Sequence, residues 1–121
     1  MAGKLAKILV IDDEFEVRKM LRKMLEKAGY EVTEARNGAV GINEYRKDPA
    51  DVVITDIIMP DKEGMETIRE LKKEFPDVKI IAMTGGNEMY LSTAKKFGVR
   101  GAFMKPLNQS KLLGAVKELL T

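Results

Sequence analysis

A chain of 121 residues, 45% hydrophobic and 33% charged, has the size and balance of one folded domain. It is too short for two ordinary domains and too apolar to stay disordered. Its net charge is +2, cysteine and histidine are both absent, and the lysines and arginines are interleaved with glutamates. These features exclude disulfides, histidine–metal sites, histidine acid–base catalysis and service as a histidine-phosphorylated partner, and they argue against direct nucleic-acid binding.

No apolar run approaches the roughly 18 residues of a membrane span. The opening MAGKLAKILV runs straight into a strand without a signal-peptide pattern. The expectation is a cytoplasmic protein with no membrane insertion.

In chain order, ILVI (8–11) reads as a strand buried on both faces. Val17, Leu21, Met24, Leu25 and Ala28 then form a helical stripe closed by Gly29. EVTEA (31–35) reads as a weaker, edge-like strand, and 38–47 as a helix of poorer periodicity. VVIT (52–55) is a second fully apolar strand. Met65, Ile68, Leu71 and Phe75 mark the next helix, ended by Pro76. VKIIAM (78–83) is a third apolar strand, followed by a helix across 87–97 that Gly98 stops. GAFM (101–104) is a second edge-like strand. Leu112, Leu113, Val116, Leu119 and Leu120 form a last helix capped by Asn108 or Ser110. Five strand–helix units in alternation, with right-handed crossovers, predict one α/β domain over 1–121. Its parallel sheet is doubly wound, with helices on both faces in a three-layer sandwich.

Ligands of open parallel sheets bind outside the carboxyl ends of the strands. The first strand ends in Asp12, Asp13 and Glu14, the third in Asp56, the fourth in Thr84 before Gly85 and Gly86, and the fifth in Lys105 before Pro106. Each residue alone has a bland structural role. The acids suit a helix start, Thr84 a cap, and Lys105 a solvated surface. Together they pose an electrostatic problem, because three neighbouring carboxylates repel unless a cation neutralises them. Oxygen-only ligands select a hard ion such as Mg²⁺, which prefers one or two carboxylates plus a phosphate.

A phosphoryl group is therefore the missing ligand. Asp56 is the candidate nucleophile forming an aspartyl phosphate. Mg²⁺, Lys105 and Thr84 with nearby backbone N–H groups would each neutralise one phosphoryl oxygen. No strong general base is available for a second substrate, so the acyl phosphate reads as a signal rather than a step.

These residues resemble the response-regulator receiver domain, the phosphoacceptor module of two-component signalling. KILVIDDE (7–14), DVVITDIIMPDKEG (51–64), KIIAMTG (79–85) and GAFMKP (101–106) carry the resemblance in order and spacing across essentially the whole chain. It implies a flavodoxin-like sheet of order 2-1-3-4-5 and a single-domain, chemotaxis-type receiver with no attached output domain. It also implies that Asp56 takes its phosphoryl group from the phosphohistidine of a sensor histidine kinase or phosphotransfer protein. The metal ligands would be Asp13, Asp56 and the Ile58 backbone carbonyl, with Asp12 holding a metal-bound water. Lys105 and Thr84 would contact the phosphoryl oxygens, and Lys105–Pro106 would be cis. Phosphorylation would then switch affinity for a downstream effector protein at the fourth helix, fifth strand and fifth helix, or pass onward in a relay.

The implied activity is limited to the chain's own phosphorylation and dephosphorylation. Three departures from the family pattern stand out. Ala102 occupies a position that is commonly aromatic, and strand alternation turns Phe103 to the opposite face, so another element must carry the switch. Ile58 and Gly86 offer no polar side chain to orient an attacking water, which predicts slow self-dephosphorylation. Asp61 and Glu63 are common loop variants.

Rival assignments fit less well. A flavin carrier needs a hydroxyl-rich first loop where this chain has DDEFE. A haloacid-dehalogenase-type phosphatase needs a second acid where Ile58 stands. A non-phosphorylated scaffold leaves the acidic set without a purpose.

Overall fold

The computed structural model describes residues 5–59, 64–86 and 88–121. Among them, strands and helices alternate: β1 (Lys7–Ile11), α1 (Phe15–Lys27), β2 (Glu31–Ala35), α2 (Gly38–Lys47), β3 (Val52–Asp56), α3 (Gly64–Glu74), β4 (Ile80–Thr84), α4 (Met89–Lys96), β5 (Gly101–Met104) and α5 (Gln109–Leu119). The strands pair in parallel in the order β2-β1-β3-β4-β5. The fold is thus the doubly wound sheet that the sequence predicts, in the flavodoxin-like order that the family resemblance implies, and the strand order reverses between β1 and β3.

The strand period of two divides the core. Ile8 and Val10 of β1 join Leu21 and Leu25 of α1 and Leu112 and Val116 of α5 on one face. Leu9 and Ile11 join Ile42 and Tyr45 of α2, Ile68 and Leu71 of α3, and Ala94 of α4 on the other. Every residue of β3 and β4 is buried, which is why those strands read as continuous apolar runs. Each fully buried aliphatic side chain contributes about 1.5–3 kcal/mol, so the central strands hold their carboxyl ends most firmly. Strand β2 instead buries Val32 and Ala35 while Glu31 and Thr33 face solvent, as an edge should.

Helix boundaries follow local chemistry. The Asn37 and Asn108 side chains accept from Val40 and Lys111 N–H groups, capping α2 and α5, so Asn108 rather than Ser110 starts the last helix. Gly29 and Gly98 adopt φ of 96° and 91° just past α1 and α4, a left-handed stop that only glycine takes cheaply. The fourth strand begins two residues later than its apolar run: Val78 is buried, yet its N–H bonds back to the Phe75 carbonyl in the turn after α3. The Tyr45 and Phe75 rings meet edge to face at 4.8 Å between centroids, fastening α2 to α3.

Candidate functional site: acids and a lysine at the carboxyl edge

The sheet ladder itself aims the site residues. Asp12 N–H donates to the Ala35 carbonyl, Ile57 N–H to Met83, and Lys105 N–H to Thr84, so each chain leaves the sheet already in register with its neighbour. Asp12 is fully buried and Asp56 only 4% exposed, whereas Asp13 is exposed. One oxygen on each of Asp12, Asp13 and Asp56 lies within 4.8 Å of the other two.

Lys105 reaches into this cluster from β5. Its ammonium donates to Asp12 Oδ2 at 2.9 Å, Asp56 Oδ2 at 3.2 Å and Glu14 Oε1 at 3.3 Å. The second Asp12 oxygen accepts the Glu14 N–H at 2.8 Å, and the second Asp56 oxygen the Ile58 N–H at 3.3 Å. A solvated surface lysine this is not. Burial raises the Asp56 carboxyl above the usual carboxylate range, and the Lys105 charge offsets this only in part. Burial raises Asp12 too, against the Glu14 N–H and Lys105. Burial also works to lower the Lys105 ammonium, but Asp12 and Asp56 outweigh it and hold it above the ordinary lysine value.

One lysine therefore does not fully compensate the buried carboxylates, and a further cation is electrostatically favoured. The donor set contains only oxygens, the ligands a hard cation takes. The cluster is compatible with Mg²⁺.

Thr84, buried at the end of β4, accepts the Gly86 N–H on Oγ1 at 3.1 Å. Ile58 is 45% exposed, and its Cδ1 lies 2.7 Å from where a Cβ on Gly86 would stand, so its side chain covers that glycine. Ala102 and Phe103 face opposite layers, as strand alternation requires. The Lys105–Pro106 bond is cis, as expected. Asp61 and Glu63 lie outside the described residues. Sequence reasoning placed Glu14 at the strand end but missed its hold on Lys105. It also missed Arg18, whose guanidinium donates to the Asp12 carbonyl at 2.7 Å. An arginine one turn into the helix after DDE was the available signal.

The fold and site together define an α/β domain with a flavodoxin-like sheet, whose acidic first loop faces a lysine that follows the last strand. The response regulator receiver domain family matches residues 8–117. The chemotaxis protein CheY of Thermotoga maritima is 34% identical over 115 residues, covering 93% of this chain and 96% of that protein. A receiver domain protein from Clostridium thermocellum superposes with a TM-score of 0.90 at 36% identity, over 95% of this chain and 94% of that one. The response regulator TrrA of Thermotoga maritima, solved in complex with Mg²⁺-BeF, gives 0.88 at 34% identity over 95% and 99%. The chain belongs to the response regulator receiver family and is a CheY-like receiver domain of two-component signalling.

Proposed function

We propose that this protein accepts a phosphoryl group on Asp56 from a phosphohistidine of a sensor kinase or phosphotransfer protein. The observation that carries the reading is the Lys105 ammonium bridging Asp12 and Asp56 at 2.9 and 3.2 Å inside a three-carboxylate cluster. An Asp56 carboxylate oxygen attacks phosphorus, a P–O bond forms, the P–N bond to the donor imidazole breaks, and the imidazole leaves with its electron pair. Lys105 then exchanges its contact with the Asp56 carboxylate for a phosphoryl oxygen, and Thr84 offers its hydroxyl to another.

Asp13, Asp56 and the Ile58 carbonyl would hold Mg²⁺, with Asp12 on a bound water. The TrrA complex with Mg²⁺-BeF supports this assignment by likeness. The ion supplies neutralisation of phosphoryl charge when bound.

The signal would leave through α4, β5 and α5, where Met89 of α4 and Met104 of β5 are exposed large apolar side chains. Ile58 covering Gly86 leaves no polar group there to orient water, which favours slow loss of the phosphoryl group. The test is incubation with acetyl phosphate and Mg²⁺, followed by intact mass over time. The expected result is one phosphoryl adduct that decays slowly and is missing in Asp56→Asn. An equal adduct on that variant names the wrong acceptor, and rapid decay without a phosphatase overturns the assigned role of Ile58.

A further inference from the structure

Asp12 and Asp13 differ in how they are held. All four polar atoms of Asp12 are engaged: its N–H by the Ala35 carbonyl, Oδ1 by the Glu14 N–H, Oδ2 by Lys105, and its carbonyl by Arg18. The Asp13 carboxylate is exposed and receives no hydrogen bond from the described residues. Its direction therefore depends on the backbone it leaves. The Asp12 carbonyl belongs to the rigid Asp12–Asp13 peptide plane, so whatever grips that oxygen orients Asp13 as well.

The gripping group is itself well fixed. Arg18 Nη1 donates to the Asp12 carbonyl at 2.7 Å while Nε donates to Glu34 Oε1 at 3.1 Å. The guanidinium carbon stands 5.8 Å from the Phe15 ring centroid, and the side chain is only 15% exposed. Glu34 takes a second arginine, Arg22, on its other oxygen at 2.5 Å. Glu34 pairs with Val10 across the sheet, two residues before Asp12. A planar fork spans an edge-strand carboxylate and a loop carbonyl at once, which a lysine ammonium cannot reproduce.

We infer that Arg18, anchored by Glu34, is a positioning residue that sets the Asp13 carboxylate for the metal through the Asp12–Asp13 peptide plane. The inference rests on the proposed Mg²⁺ site. Its sign separates it from simple electrostatics. Arg18 is a cation near the acidic cluster, so if charge alone mattered its removal would tighten Mg²⁺ binding. If it holds the peptide plane, removal loosens the site and weakens binding despite the lost positive charge.

The test is calorimetric titration of the unphosphorylated protein with MgCl₂ at a temperature where every variant is folded. Arg18→Ala and Arg18→Lys are both expected to bind about tenfold more weakly than wild type, the range found when an outer contact to a metal ligand is removed. Arg18→Ala binding more tightly, or Arg18→Lys matching wild type, overturns the inference while leaving the metal site standing. Absence of Mg²⁺ binding by wild type overturns the metal site and the inference together. Amide exchange at Glu14, whose N–H closes the same turn, gives a readout without metal. It should quicken in both variants, and unchanged exchange in both counts against the positioning role.

Discussion

At the scale of single residues, the site trades stability for a poised charge. Asp56 sits almost out of water, and burial raises its carboxyl more than Lys105 lowers it. A carboxyl whose folded pKa lies above its unfolded value opposes folding when ionised. That opposition is fully present above the folded pKa and disappears as pH falls through it toward the unfolded value. Asp56→Asn should therefore make the metal-free protein more heat-stable at pH 7.5, by about 1 kcal/mol or roughly 4 °C for a domain of this size. The advantage should shrink at lower pH, as the wild-type carboxyl takes up its proton. Thermal melts at pH 7.5 and at lower pH check this, and a variant that melts lower at both would show that Asp56 is a net stabiliser. Glu34 and Glu74 behave oppositely. Arginine hydrogen bonds lower both, so their contribution is held at neutral pH and lost only in acid.

At the scale of elements, two glycines inside helices show how packing decides the sign of one substitution. Gly→Ala in a helix interior gains about 0.5–1 kcal/mol from chain entropy when nothing obstructs the methyl. Gly114 in α5 has no neighbouring heavy atom within 4 Å of its Cβ position, so Gly114→Ala should stabilise by that amount. Gly41 in α2 is buried against Ile11: a Cβ there would collide with Cδ1 and come within 2.8 Å of Cγ1. Gly41→Ala should destabilise by about 1–2 kcal/mol, the usual cost of overpacking, and Ile11→Val should recover part of the loss in the double variant. Urea midpoints measure all four. Because Ile11 directly precedes Asp12, a shift of α2 would also be felt at the acidic cluster.

At the scale of the whole molecule, the site exists only when the fold does. Asp12 and Lys105 stand 93 positions apart in sequence yet share a hydrogen bond of 2.9 Å. The unfolded chain cannot assemble the three carboxylates, so any cation they hold binds the folded state alone and raises its stability by linkage. Mg²⁺ at a hundredfold excess over its dissociation constant should add about 2.7 kcal/mol, read as a rise in melting temperature that Asp13→Asn reduces. A wild-type melt indifferent to Mg²⁺ would rule out the proposed metal site. Within the described residues no helix is long and apolar enough to cross a membrane.

Much of this was legible in the sequence because the signals are local or periodic. Fully buried parallel strands must be apolar on both faces, so β1, β3 and β4 announced themselves. The polar residues that end these strands and β5 mark Asp12, Asp13, Asp56, Thr84 and Lys105 as candidates. Strand order came only from resemblance, because periodicity carries no information on which strand lies beside which. The start of β4 was misplaced by two residues since Val78 is buried by a turn, and burial alone cannot tell turn from strand. Tertiary structure alone decided the three-carboxylate grip of Lys105, the clamp of Arg18 between Glu34 and the Asp12 carbonyl, and the opposite characters of Gly41 and Gly114. These depend on which side chains meet across the sheet. One-dimensional spacing fixes the face a residue occupies, and only the packed molecule sets what stands opposite it.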